Sequence, residues 1–217
     1  MTPPDPTRPA DDARPLALKE WATIVHALLA GEQIIDLRKG GLHEDGRHFA
    51  LPATRAYLYP TVEHQRAELL RPAYRHWIDL APGSRVGDPI TLHGWIDIVA
   101  HATLTEPTEL EALADKVIWT HDYAGDRLAW KARDPLWVLV VRAHRLLDPV
   151  TVAWDDGYGG CTSWVTLEGL PADPALLPSE PALSDVAFEA RWKGVRAALP
   201  HHFTPEHLTT EHLTTEQ

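Results

Sequence analysis

Between residues 90 and 98 the chain alternates, with Ile90, Leu92, Gly94, Ile96 and Ile98 set against the more polar Thr91, His93 and Asp97. A period of two places the apolar members on one face of a β-strand, so this segment demands a sheet with a buried side. A different period governs the chain before Gly31. Trp21, Ile24, Val25, Leu28 and Leu29 follow the helical i, i+3, i+4, i+7, i+8 spacing, which predicts a helix over residues 16–30 with Gly31 as its C-terminal stop. Both periods must therefore share one core.

The remaining elements read from shorter signals. Residues 33–38 and 56–59 are expected to be strands, and Thr61 is a good N-cap for a helix carrying Glu63, His64, Gln65, Leu69 and Leu70. A short helix follows over 108–116 and a Trp-containing segment over 119–131. Apolar strands are expected at 136–146 and 161–167, the second reached through the glycine turn at 157–160, taken as a hairpin turn. Strands parted by turns, with few helices, predict a small α+β fold: an antiparallel sheet curved into a barrel, flanked by helices. The expected divisions are a Pro- and Asp-rich disordered leader over 1–15, a main domain over 16–170, a linker and C-terminal helix over 171–200, and a disordered tail over 201–217. The tail repeats Glu-His-Leu-Thr-Thr and reads as low complexity rather than as a metal site.

With 217 residues, 44% of them hydrophobic, the chain has the means for an ordinary core without a disulfide scaffold. Its single cysteine, Cys161, excludes an internal disulfide and a Cys-rich zinc site, and fits a reducing compartment. No apolar run is long enough to cross a bilayer, and the leader lacks the apolar stretch of a secretory signal. A cytoplasmic, soluble protein with no membrane partner is the expectation.

Charge is unevenly spread. The net charge is −11, yet residues 38–85 carry eight basic side chains against five acidic ones, a local +3 that leaves −14 for the rest. At the start of this basic stretch Leu37-Arg38-Lys39-Gly40-Gly41 closes a predicted strand, and Tyr59-Pro60-Thr61-Val62-Glu63-His64-Gln65 follows after a loop. Arg suits planar, bidentate contact with phosphate or carboxylate, and paired glycines let a backbone come close to a ligand. The candidate binding residues are Arg38 and Lys39 for phosphate, Gly40 and Gly41 for close approach, and His64 and Gln65 for a base edge. Trp164 joins them as an aromatic beside a polar, glycine-containing motif, where stacking on a base is available to it; Trp119 and Trp130 have similar company. The plainer reading of the charges is a solvated surface paired with nearby carboxylates.

Catalytic signatures are sparse. A nuclease of the PD-(D/E)xK type needs an acid two positions before a Lys, and none of Lys19, Lys39, Lys116, Lys131 and Lys193 has one. Asp36, Glu63 and His64 are the residues an unusual metal-dependent hydrolase would use. Cys161 reads as a small buried hydrophobe rather than a nucleophile, and Ser163 lacks the Gly-x-Ser-x-Gly setting. The thirteen histidines show no HExxH and no helical pair, so neither metal nor cofactor is expected.

The segments at 18–21, 37–41 and 59–65, together with Trp119-Thr120-His121-Asp122-Tyr123, Arg127-Leu128-Ala129-Trp130-Lys131 and Gly160-Cys161-Thr162-Ser163-Trp164, resemble a bacterial family of unknown function, DUF1802, over residues 16–170. The resemblance implies a role near DNA restriction or modification, because members are sometimes joined to an Mrr-type restriction endonuclease domain. A second resemblance bears on fold. Gly31 to Arg38 looks like the Gly-x-Lys-Thr-x-Glu-x-Arg segment of the ASCH group of PUA-like domains, and Gly87-Asp88 before a strand resembles their second signal. This implies a small β-barrel that binds RNA or a modified nucleotide. Members of that group with amidohydrolase activity use a Lys and a Thr where this chain has Gln33 and Asp36, so binding is implied and hydrolysis is not. The expected function is recognition of nucleic acid or a modified nucleotide in a restriction-linked pathway, with a restriction endonuclease component as partner. The alternatives are a small metal-dependent hydrolase or nuclease, or a non-catalytic protein-interaction subunit.

Overall fold

The computed structural model of the protein describes residues 14–39, 43–45, 48–50, 52–129, 136–160 and 162–203. Gly40, Gly41, Trp130, Lys131 and Cys161, most of the leader and most of the tail lie outside the described residues. In chain order the elements are β1 (Leu16–Trp21), α1 (Ala22–Leu29), β2 (Ile35–Lys39), β3 (His43–Asp45), β4 (His48–Ala50), β5 (Arg55–Thr61), α2 (Trp77–Leu80), β6 (Ile90–Leu104), α3 (Pro107–Glu111), α4 (His121–Ala129), β7 (Leu136–Val152), β8 (Trp164–Thr166), β9 (Ser179–Pro181) and α5 (Asp185–Ala198). This is a mixed α+β architecture.

Seven strands form one sheet in the order β2-β7-β6-β5-β1-β8, with β9 added to β7, while β3 and β4 pair separately. The sheet is built on the ladder that the alternating sequence predicts. β6 and β7 pair antiparallel from Ile90 opposite Val152 to Leu104 opposite Leu136, with irregularities between Leu92 and Gly94 and between Ile98 and Ala100. Gly94 marks one of them, where an added Cβ would collide with the His144 carbonyl and the Leu29 side chain, so only glycine lets α1 settle this closely on the sheet.

The expected barrel is not what forms. The pairing path ends at β2 and at β8, and no ladder joins those ends among the described residues. Nor is the sheet wholly antiparallel, because β1 and β5 run parallel from Ala17 opposite Tyr57 to Trp21 opposite Thr61. The reason lies in what covers the sheet. Leu18, Ala56, Leu58, Ile96 and Ile98 join α1 and α5 residues in the larger core. Their neighbours Ala17, Tyr57, Tyr59 and Trp95 join Val165 and Leu167 in a second core. A sheet packed on both faces is a layered structure, and closure around one interior is not needed.

The same burial explains the largest misreading of the sequence. Residues 16–21, expected as the first turns of a helix, form β1, and the helix runs only from Ala22 to Leu29. A central strand buried on both sides shows no clean alternation, so its apolar residues merge with the helical pattern that follows. Gly31 ends the helical segment as expected, at φ 72°, where an added Cβ would stand 2.6 Å from Leu183 Cδ2. The helix expected after Thr61 is also absent. β5 continues through Pro60 and Thr61, His64 takes a positive φ of 61°, and only a single 3-10 turn forms at Ala67–Leu69. The glycine turn at 157–160 is no hairpin, since β8, which follows it, pairs with β1.

The C-terminal helix matches its expected position. Ser184 caps it by accepting from the Ala187 N–H at 3.3 Å, and Phe188, Trp192 and Val195 seat it in the larger core. Among the described residues no helix is long and apolar enough to cross a membrane.

Candidate functional site

The ends of β1, β2 and β5 line an open cleft of about 450 Å³, closed on one side by the loop residues Gly160, Thr162 and Ser163. Its walls bring Lys19, Glu20 and Trp21 of β1 beside Arg38 and Lys39 of β2, Thr61 of β5, and Glu63, His64 and Arg66 of the segment that follows. Tyr123 and Asp126 of α4 and Thr162 and Ser163 of the closing loop complete it. The two segments singled out by charge in the sequence therefore do meet.

The floor is an ion pair out of solvent. Glu20 is 3% exposed and Arg38 5% exposed, and the Arg38 guanidinium donates to Glu20 Oε2 and, at 3.0 Å, to the Lys19 carbonyl. Asp36, 1% exposed, stands 3.7 Å behind the same guanidinium. The other Glu20 oxygen accepts from the Trp21 N–H at 2.7 Å. Desolvating such charges is costly unless they are paired; Glu20 and Arg38 neutralise one another, and Asp36 adds a second buried carboxylate beside the same guanidinium. Arg38 is consequently engaged by protein groups at the floor of the cleft.

Lys19 is also engaged. Its ammonium donates to the carbonyls of Tyr158 at 2.7 Å and Gly160 at 3.0 Å and lies 5.5 Å from the centre of the Tyr59 ring. It fastens the closing loop to β1, helped by the Lys19 N–H, which donates to the Ser163 carbonyl at 2.8 Å. Burial, with Glu63 and Tyr158 nearby, pushes the Tyr59 phenol up to about 12, so it stays protonated beside this lysine. Lys39 lines the cleft and is itself buried.

The rim differs in character. His64 and Arg66 are exposed, and among the described residues the Arg66 guanidinium has a loose contact of 3.8 Å with Glu68, itself largely in water. The positive φ of His64 costs on the order of 1 kcal/mol for a residue other than glycine, and such strain gathers at binding sites. One wall is aromatic, with the Trp21 and Tyr123 rings 5.1 Å apart and tilted by 52°.

Two of the expected site residues are placed elsewhere. Gln65 does not line the cleft; its side-chain oxygen accepts from the Thr23 N–H at 2.9 Å and the Thr23 hydroxyl at 3.0 Å, satisfying a donor at the start of α1 that Trp21 leaves uncapped. Trp164 is half-buried against the larger core, and its indole N–H is buried with no hydrogen bond among the described residues. Gly40 and Gly41 lie outside the described residues. The sequence reading missed Lys19, Glu20, Trp21 and Tyr123 because it assigned β1 to a helix and passed over α4. The one available signal was Lys19-Glu20 preceding a tryptophan, two charges inside an apolar run. Among the described residues no three His, Cys, Asp or Glu side chains are grouped to hold a metal, and Asp36, Glu63 and His64 form no such set.

No curated protein matches the chain. Among solved structures it is similar to an ASCH protein of Zymomonas mobilis, the group that the Gly31 to Arg38 segment resembles. The wild-type crystal structure is 14% identical, with a TM-score of 0.40, covering 73% of this chain and 90% of that one. A serine-to-alanine variant of the same protein is 13% identical, with a TM-score of 0.43, covering 73% of this chain and 91% of that one. The model of DUF1802, a domain of unknown function, matches residues 17–194, which takes in the cleft, the second core, most of the larger core and most of α5, and the chain belongs to that family.

Proposed function

We propose that the cleft binds a nucleobase, presented by nucleic acid or as a modified nucleotide, with the base inside and the phosphate at the rim. The observation that carries this reading is the separation of charge within the site: an internally neutralised Glu20–Arg38 floor and an exposed Arg66 and His64 at the edge. A phosphate has no uncommitted guanidinium to meet on the floor. A base, planar and uncharged, matches a polar but neutral bed beside the Trp21 and Tyr123 rings, where stacking is insensitive to base identity. Thr61, Thr162 and Ser163 add hydroxyls that donate or accept toward a base edge. A phosphate attached to that base falls to Arg66, the cation with the weakest protein partner at the rim.

The setting we propose is restriction or modification of DNA, with a restriction endonuclease component as partner, and this makes a modified base in a single strand or flipped from a duplex the first ligand to try. Fluorescence anisotropy with single-stranded oligonucleotides carrying plain and modified bases tests the reading. Binding that weakens with salt, with a slope reduced by about 0.7 in Arg66→Ala for one lost phosphate contact, supports it. Absence of binding to every base, nucleotide and oligonucleotide at low salt sinks it. Base release or strand cleavage lost in Glu63→Gln would instead favour an enzyme using the same cleft.

A further inference from the structure

A second cavity, of about 420 Å³, lies along α1 and owes nothing to the cleft. Ala22, Val25 and Leu29 of α1, with Pro82 and Leu146, make its walls apolar, and the polar side chains that reach it are His26, His93 and Arg145. Arg145 has no charge to spare: its guanidinium donates to the Leu29 carbonyl at 2.9 Å and to Glu180 at 3.0 Å. Burial holds His93 below the usual imidazole range, and burial followed by repulsion from His76 and His93 does the same for His26. The cavity therefore presents two neutral imidazoles in an apolar setting.

One of these is incomplete. His93 Nε2 is buried and makes no hydrogen bond among the described residues, a deficiency that is costly wherever a polar group is taken from water and left unmatched. His26, by contrast, packs its ring edge-on against Trp77 at 4.7 Å. The partner that His93 lacks is defined by chemistry. Whether Nε2 carries the proton or the lone pair, a hydroxyl answers it, because a hydroxyl both donates and accepts. A carboxylate does not fit, since the imidazoles are neutral and the guanidinium is already paired.

We propose that this cavity binds a small, uncharged, mainly apolar molecule bearing a hydroxyl, of the class of phenols and short alcohols, with the hydroxyl on His93 Nε2 and the apolar body against α1. The volume lies in the range of small-molecule sites.

Phenol, toluene and benzoate are suitable probes, read by the histidine ring resonances of the full chain in heteronuclear NMR. Phenol is expected to shift the His93 ring saturably, toluene to bind at least about tenfold more weakly, a difference of about 1.4 kcal/mol, and benzoate to leave the ring unmoved. His93→Phe should reduce phenol to the affinity of toluene. Ala30→Trp, at an exposed position on the cavity's edge, should block phenol while the protein remains folded. Equal binding of phenol and toluene, no saturable shift at His93, or phenol binding unchanged by Ala30→Trp would each overturn the proposal.

Discussion

The cleft at the ends of β1 and β2 and the cavity along α1 are of similar volume, and they handle buried polarity in opposite ways. In the cleft, charged groups are taken out of water and paired, as Glu20 and Arg38 show with Asp36 behind them. In the cavity the titratable groups give up their charge, and burial keeps His26 and His93 neutral. The first solution yields a rigid polar floor, because an ion pair in a dry site has few alternative geometries. The second yields an apolar chamber with one imidazole nitrogen unmatched. A nucleobase fits the first and a hydroxylated apolar molecule the second, so the two sites should be separable by mutation.

The largest effect expected is on the cleft. Glu20→Ala leaves the Arg38 guanidinium buried with Asp36 at 3.7 Å as its remaining carboxylate, and should cost about 3–5 kcal/mol in chemical denaturation. The double change Glu20→Leu with Arg38→Met should recover only part of that loss, since it also takes from the buried Asp36 the guanidinium that stands 3.7 Å away. A single-variant loss below about 1 kcal/mol would show that the floor is not dry, and the contrast with the cavity would fail.

Next in size is ligand binding. Trp21→Leu should weaken nucleobase binding by about 1–3 kcal/mol while leaving phenol binding in the cavity untouched. Loss of both would mean that the sites are coupled through α1, whose first residue follows Trp21.

The cavity makes a smaller prediction, in pH. For a histidine whose folded pKa lies below its unfolded value of about 6.5, the unfolded chain binds the proton first. The stability that His26 and His93 contribute by staying neutral is therefore present above about pH 6.5 and lost as the pH falls toward their folded values. The melting temperature should fall over that window, and less so in His93→Phe. A flat profile there would contradict neutral burial. Asp97 adds nothing in this range: burial works to raise its pKa, but hydrogen bonds from His144 and Arg55 outweigh it, so its loss of stability comes only below the usual carboxylate range.

The smallest effect belongs to His64. Replacing it by glycine relieves the positive φ but loosens the unfolded chain, so stability should change by less than about 1 kcal/mol. His64→Val should cost more, about 1–3 kcal/mol, because a β-branched residue is a poor occupant of the left-handed region. If glycine and valine behave alike, the backbone at 64 is not held as described.

These contrasts also mark what the sequence could disclose. The β6–β7 ladder and α5 were legible because each buries one face, which leaves a period in the residues themselves. β1 and β5 were not, or only in part, because strands buried on both faces carry no such period, and their parallel pairing depends on a partner about forty residues away. The cleft was half legible for the same reason. Arg38, Lys39 and His64 stood out as local charge, whereas Glu20 was hidden in an apolar run, and Gln65, which stood out beside His64, is bound to Thr23 away from the cleft. Charge can be read along a chain, but which charges cancel is decided only when the strands meet.

The central claim is that the floor of the cleft is electrically settled and that its ligand is a base rather than a phosphate. Calorimetric titration of a nucleoside and its 5′-monophosphate over a range of salt concentrations tests this most directly. We expect nucleoside binding to be independent of salt, the monophosphate to gain a salt-dependent increment, and Arg66→Ala to remove that increment alone. Inorganic phosphate competing with the nucleoside, or monophosphate binding abolished by Arg38→Met in a protein that remains folded and still binds the nucleoside, would contradict it.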